Sequence, residues 1–227
     1  MTARKEYGEF TLSTPDKDYL FRPSFDAMTR IGAPEQIVNA FTLLSGAEVQ
    51  ALIARAIQAY GVVPEWLFKA LKKPTYGRSV LSTSMMIMQA CCNDDCDELI
   101  GEWKPSKNGV TYKLGKMPIT NIIVLARELI THGIIGKAKV RRLQRHEGTE
   151  FTDNFHAIEY ITSARAHFGM HREEAEQLTM TEFVMMLKAK YPDEKGFTRE
   201  EYDEIMKADD QRNDELATGK RRLVSRK

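Results

Sequence analysis

This sequence is short of several things, and each shortage excludes a class of protein. Only three cysteines occur in 227 residues. That is too few for a disulfide framework and fits a reducing, cytosolic compartment. No apolar run approaches the roughly 18 residues of a membrane helix. The opening MTARKEYGEFTL also has no apolar stretch of the kind a signal peptide carries. An excess of one charge sign is almost missing: 33 Lys and Arg stand against 32 Asp and Glu, a formal net charge of +1. Bulk charge therefore excludes a polybasic nucleic-acid coat but leaves room for a local basic patch. Motifs for nucleophiles and phosphates are absent too: there is no Gly-x-Ser-x-Gly, no P-loop and no Gly-x-Gly-x-x-Gly. What remains is a chain that is 42% hydrophobic, enough for one large or two small domains.

The pattern of the chain predicts an α+β fold, predominantly helical. Glu9 to Ser13 and Tyr19 to Pro23 flank the turn formers Thr14-Pro15-Asp16 and read as a hairpin. Ser24 caps a short helix with Phe25, Met28 and Ile31 inward, and Gly32 ends it. Pro34 opens the next helix, which carries Ile37, Phe41 and Leu44. After the Ser45-Gly46 break, Val49, Leu52, Ile53 and Ile57 mark an amphipathic helix. A short helix follows over Pro64 to Leu71, then a loop from Lys72 to Arg78, then an apolar helix from Ser79 to Cys92. Leu99 to Trp103 and Val110 to Leu114 flank an Asn108-Gly109 turn and predict a second hairpin near residues 99–114. From Pro118 runs the most regular helix, with Ile119, Ile122, Ile123, Ala126 and Ile130 on one face and Gly133 as its stop. Asp153 caps a helix to Phe168 with Phe155, Ile158 and Ile161 inward. Two capping boxes follow, Thr179 with Glu182 before Phe183 to Tyr191, and Thr198 with Glu201 before a polar C-terminal helix. Ten acids and four bases lie between Asp193 and Glu215, and a basic tail closes the chain. The expected organisation is a hairpin with helices over residues 1–115, a helical region over 116–192, and a charged extension over 193–227. Residues 1–192 form one compact body or split near residue 116.

Candidate chemistry is sparse. Cys91, Cys92 and Cys96 lie among Asp94, Asp95 and Asp97, but a structural zinc site needs four soft ligands in paired spacings. They read instead as small apolar residues at a helix end, with no metal and no cofactor expected. His167 and His171 have chelating spacing, but Gly169 between them marks a helix break. Carboxylates cluster on a solvated segment, a poor place to raise a carboxyl pKa. No catalytic residue is assigned, and the expectation is a protein that is not an enzyme. The basic run carries Lys137, Lys139, Arg141, Arg142 and Arg145, which could face phosphates or an acidic partner. It lacks the Asn, Gln or Ser residues that commonly read base edges. Eleven methionines are present. Met180, Met185 and Met186 with Phe183 are candidates for an adaptable hydrophobic binding surface, the alternative being core filling.

Several blocks together resemble an uncharacterised family of tailed-phage and prophage proteins encoded in tail morphogenesis modules. They are Tyr19-Leu20-Phe21-Arg22-Pro23-Ser24-Phe25, Met28-x-x-Ile31-Gly32-x-Pro34, Gly136 to Arg145, and Phe155-x-Ala157-x-Glu159-Tyr160-Ile161. Ala166 to Met170, Glu174 to Phe183 and Lys188 to Pro192 complete the set. The resemblance implies a tail assembly chaperone acting between the major tail protein and the tape measure protein in the bacterial host cytoplasm. A tape measure is a long, apolar-rich helical chain that would aggregate until the tail tube encloses it. A chaperone for it needs no active site, only a helical body and an apolar groove. The expected partners are the tape measure protein and the major tail protein, with a homo-oligomer left open and no membrane. Two other readings stay open: a nucleic-acid-binding phage regulator using residues 137–145, and a structural tail component retained in the virion.

Overall fold

The computed structural model describes residues 2–4, 6–107, 109–136, 154–191 and 206. The N-terminal strands β1 (Thr2–Arg4), β2 (Glu9–Ser13) and β3 (Asp18–Phe21) form an antiparallel sheet in the order β1-β2-β3. The expected hairpin is thus present, with a strand added at its edge. Thr14 and Lys17 close its turn through Thr14 N–H to Lys17 O (2.9 Å) and Lys17 N–H to Thr14 Oγ1 (3.1 Å). Phe10 sits opposite Phe21 and Leu12 opposite Tyr19. Cross-strand partners share a face, so Phe10, Tyr19 and Phe21 are all buried on the same side. The Phe10 and Phe21 rings stack with centroids 4.9 Å apart.

The chain then passes into α1 (Phe25–Ile31), whose first turn is capped by Ser24 Oγ accepting from Ala27 N–H. Pro34 opens α2 (Pro34–Ser45), where Gln36 Oε1 accepts from Ala33 N–H at 2.9 Å. Ile37, Ala40 and Leu44 face the core. Two long helices dominate the interior, α5 (Pro74–Cys91) and α7 (Ile119–Ile134), and they pack most extensively on each other. The helix α5 begins five residues earlier than its apolar pattern suggests. Lys73 is extended and Pro74 takes the first helical position, where its fixed φ favours helix and its missing N–H costs nothing.

Local geometry also revises the second hairpin. Leu99 and Ile100 belong to a helical turn, α6 (Asp97–Ile100), so the strand starts only at β4 (Glu102–Ser106) and pairs with β5 (Gly109–Lys113). Ser106 faces Gly109, which places Pro105 and Ser106 in the strand. Trp103 and Tyr112 are partners, with ring centroids 5.4 Å apart, and Tyr112 Oη donates to Ile100 O at 2.6 Å.

Gly133 does not stop α7. It lies inside the helix where a Cβ would come 2.5 Å from Met28 Sδ, so glycine here permits close approach to α1. Ile119 is exposed and Ile123 half-buried, while Leu129 and His132, outside the expected face, are buried. The remaining helices are α8 (Ala157–Phe168), α9 (Arg172–Glu176) and α10 (Met180–Lys190). Phe155 and Ile161 point inward as expected, but Ile158 is exposed, because Phe155 precedes the helix and does not share its periodicity. The helix expected to follow an Asp153 cap starts only at Ala157 with His156 at its N-cap, since residues 154–156 are not helical; Asp153 itself, and the Thr198/Glu201 helix except Met206, lie outside the described residues. The chain divides into two compact units, Met1–Ala189 and Lys190–Lys227. One continuous core runs from Phe10 to Phe183.

Two helices take no part in that core, α3 (Ala47–Tyr60) and α4 (Glu65–Leu71). Between residues 47 and 79 only Ala56 and Leu67 are buried. Val49 and Ile53 are half-buried, and Leu52 and Ile57 stand largely in solvent. The amphipathic pattern correctly marked a helix, but its apolar face is covered only near Ala56. A contrast in stability follows. Phe25→Ala should lower unfolding free energy by about 3–5 kcal/mol, whereas Leu52→Ser should change it by less than about 0.5 kcal/mol. Urea unfolding followed by circular dichroism checks both. A large loss at Leu52 would show that α3 is packed.

Candidate functional site

The α10 side chains expected to grip a partner divide unequally. Met180 is 4% exposed and Phe183 5%, both in the core, and Met186 is half-buried against it. Of the four, only Met185, at 45%, offers substantial surface. The helix is fixed in this orientation from its first turn. Thr179 N–H donates to Glu182 Oε2 at 2.9 Å, and Glu182 N–H donates to Thr179 Oγ1 at 3.2 Å, the reciprocal box the sequence predicts. The helix starts at Met180 rather than Phe183, because the box sets Thr179 as its cap. Arg22 holds the same carboxylate, its Nη2 lying 3.2 Å from both Glu182 oxygens, while its Nε lies 2.8 Å from Glu9 Oε1. Phe183 then enters an aromatic cluster. Its ring centroid is 5.9 Å from Phe25, 5.8 Å from Tyr160 and 6.3 Å from Phe168, each nearly perpendicular, and Phe155 stacks on Tyr160 at 5.2 Å. Met180, Met186 and Phe183 are therefore chiefly packing residues, and Met185 is not. The basic candidates Lys137, Lys139, Arg141, Arg142 and Arg145 lie outside the described residues.

The cysteines pack at the end of α5. Cys91, Cys92 and Cys96 are all buried free thiols. Burial pushes Cys91 up to about 12. A hydrogen bond from Cys96 lowers Cys92, and the same bond with burial raises Cys96, whose Sγ also lies 3.1 Å from Gln89 Oε1. Among the described residues no group of three His, Cys, Asp or Glu side chains could hold a metal ion. His167 closes α8 and His171 caps α9, with Gly169 left-handed between them (φ 68°), so the break expected there separates the two rings onto different helices.

A cleft of about 590 Å³ lies beside the second hairpin, lined by Asp95, Asp97, Glu98, Glu102, Lys113 and Lys116 among others. Its charges are mostly paired: Lys116 Nζ meets Glu98 at 2.6 Å, and both Lys104 and Lys113 meet Glu102. Desolvation, with Asp95 and Glu102 nearby, raises Asp97 above the ordinary carboxyl range. The lining is made of carboxylates, lysines, two glycines and Leu114, with no Cys, Ser, Thr or His among them.

The feature that does stand out is the uncovered apolar surface of α3 and α4. Six large apolar side chains are exposed between residues 52 and 68: Leu52, Ile57, Tyr60 (66%), Val62 (67%), Trp66 (59%) and Phe68. Isolated exposed hydrophobes are ordinary; six between residues 52 and 68 are a local concentration of uncovered apolar area. The helix α3 packs chiefly on α2, and α4 has no comparable packing on any element. A signal for this was present in the sequence. Trp66, Leu67 and Phe68 are consecutive, and successive helical positions are about 100° apart, so one core cannot bury all three. Leu67 goes inward and its two neighbours go to solvent.

No single described helix is long and apolar enough to cross a membrane. The bent pair of α2 and α3, at 54°, passes by length and composition alone, but the apolar face of α2 is already part of the core. Fold and surface together define a predominantly helical α+β protein with an uncovered apolar helix pair. Residues 21–204 match the model of a family of unknown function, DUF6246, and the chain belongs to that family. No curated protein and no solved structure matches it.

Burial of the three thiols has a direct consequence. In the folded protein each should react with an aromatic disulfide reagent at least about tenfold more slowly than after denaturation, since a thiol must be accessible and deprotonated to attack. A thiol titration with and without denaturant checks this. A rapidly reacting thiol in the folded protein would overturn the placement of the α5 C-terminus.

Proposed function

We propose that this protein is a non-enzymatic tail morphogenesis factor of a tailed phage, a chaperone that covers apolar helical surface of the tape measure protein during tail assembly. The resemblance of the Tyr19–Phe25, Phe155–Ile161 and Glu174–Phe183 blocks to proteins of tail morphogenesis modules supports the reading. The observation that carries it is the α3–α4 surface, where Tyr60, Val62, Trp66 and Phe68 are exposed together without a core of their own. A holding chaperone works by lending such a surface to a client that would otherwise expose its own. The binding surface lies on α3 and α4 rather than on α10, whose Met180 and Phe183 are committed to packing.

The test is co-expression with the tape measure protein encoded in the same genome, followed by solubility measurement and affinity capture. The tape measure should become soluble and co-purify. The double variant Trp66→Ser/Phe68→Ser should cut capture by about tenfold or more, since aromatic anchors dominate interfaces. Its own folding should be little changed, because both rings are exposed. A tape measure that precipitates regardless, or is captured equally by the double variant, overturns the proposal. Mass spectrometry of purified particles separates a chaperone, absent from the virion, from a structural tail component retained in it.

A further inference from the structure

All three cysteines of the chain lie where α5 ends and α6 begins, and all three are buried free thiols. Their positions are not equivalent. Cys91 is the last residue of α5 and packs in the core. Cys92 is the C-cap, its N–H donating to Met88 O, and Cys96 is the N-cap of α6. Between them run Asn93, Asp94 and Asp95, all exposed, so Cys92 and Cys96 sit beneath a turn that itself faces solvent. Gln89 folds that turn back over the end of α5. Its Oε1 accepts from Cys96 N–H at 3.4 Å and lies 3.1 Å from Cys96 Sγ, while its Nε2 donates to Asp94 O at 3.4 Å. Residues three apart on a helix are neighbours, so a Cys96 sulfur held at Gln89 is also held beside Cys92. The two thiols meet there, Cys96 hydrogen-bonding to Cys92.

From this geometry we infer that Cys92 and Cys96 are a peroxide-sensitive pair, which hydrogen peroxide converts into an intrachain disulfide while Cys91 stays reduced. The first step belongs to Cys92. Its sulfur, as thiolate, attacks one peroxide oxygen; an S–O bond forms, the O–O bond breaks, and the departing hydroxide takes a proton from solvent to become water. Cys96 then attacks the sulfenic sulfur. The S–S bond forms, the S–O bond breaks, and the Cys96 proton leaves with the hydroxyl as a second water. Two thiols have lost two electrons, and one peroxide has gained them.

The surroundings assign these roles. The hydrogen bond from Cys96 holds Cys92 below the ordinary thiol range against its own burial, and the Asp94 N–H and the Lys17 ammonium act in the same direction. A thiolate is the form that attacks. Cys91 has no such donor, and burial keeps its thiol protonated. Access fits as well. Hydrogen peroxide is little larger than water and can pass a solvent-facing turn, whereas a bulky aromatic disulfide cannot, so slow reaction with that reagent and formation of this bond are both expected. A bond closing so short a loop constrains the unfolded chain little. It belongs with the readily reduced, regulatory disulfides found transiently where thiols are otherwise kept reduced. Its effect is local: it takes Cys96 Sγ away from Gln89 and fixes the turn that carries Asp95 and leads into Asp97, two of the carboxylates lining the cleft beside the second hairpin.

The test uses the full chain, reduced, freed of reductant, treated with hydrogen peroxide and then unfolded in iodoacetamide. Mass spectrometry counts the alkylated thiols. Two of the three should be lost to one intrachain bond, and a reductant should restore them. Cleavage before Asp94 separates Cys92 from Cys96, so a linked pair of peptides reports the bond. The C91S variant should still form it; C92S and C96S should not. Trapping reads the order of the steps. After peroxide, C96S quenched into denaturant with dimedone should carry the label on Cys92, and C92S should carry none. In the chain unfolded in urea before oxidation the selectivity should vanish, with Cys91 entering bonds as readily as Cys92.

Three alkylated thiols after peroxide treatment overturn the inference. So does a bond through Cys91 in the folded protein, a bond between two chains, dimedone on Cys96 in C92S, or a selectivity that survives unfolding. Where circular dichroism shows that a serine variant folds poorly, the peptide map of the unaltered chain decides. The pair stands apart from the tail-assembly proposal: thiol counts do not depend on a client, and tape-measure capture does not depend on the bond.

Discussion

The five residues Phe21 to Phe25 hold the two ends of the core together through their backbone. Arg22 N–H donates to Cys91 O at 2.8 Å, and three residues later Phe25 N–H donates to Leu178 O at 2.9 Å. Isolated bridges join Phe21 to Cys92 and Ser24 to Thr179. One short extended segment thus ties the end of α5 to the start of α10 and delivers the β3 strand into α1. Its side chains reinforce the backbone. Phe21 and Phe25 are fully buried on either side of Arg22, and Arg22 reaches Glu9 in β2 and Glu182 in the α10 capping box. Pro23 lacks an N–H, so it leaves no orphan donor where the segment turns inward. The family match begins at Phe21, the first residue of this segment.

From that anchor the remaining packing follows. Phe25 stacks on Tyr160 and meets Phe183 edge-on, which sets α8 and α10 around α1. His132 Nδ1 lies 3.2 Å from Thr181 Oγ1, both buried, which joins α7 to the first turn of α10. Gly8, with positive φ, passes so close to the His132 ring that any Cβ would clash with it. Sheet, α7 and α10 are therefore mutually dependent. The pair α3 and α4 stands outside this network, and that is where unspent apolar surface is found. A surface that contributes little to folding is free to serve a partner, whereas a Met or Phe committed to the core is not.

Much of the fold was legible because local rules dominate at element ends. Ser24, Pro34, Gly46 and the Thr179/Glu182 box act within three or four residues, and each did in the structure what its chemistry predicts. Errors arose where a distant contact, or a competing local bond, overrode the first local signal. Gly133 reads as a stop but accommodates Met28. Pro105, between the expected strands, sits in the edge of a two-stranded ribbon, where its missing donor is harmless. Leu99 reads as a strand residue but closes a helical turn on Cys96 O.

Apolar identity and helical spacing were written in the sequence for both α10 and α3, and the two look alike there. Whether such a face is covered depends on elements elsewhere in the chain, some more than a hundred residues away. Phe183 is buried because Phe25 and Tyr160 come to meet it; Leu52, Tyr60 and Trp66 are exposed because nothing in the described core does. The sequence by itself determined most of the long helices, several of their caps, the two hairpins and the absence of recognisable catalytic motifs, since those are fixed by neighbours along the chain. Only the tertiary structure decided which apolar face became core and which became surface, because burial is a property of the space between elements and not of any one of them.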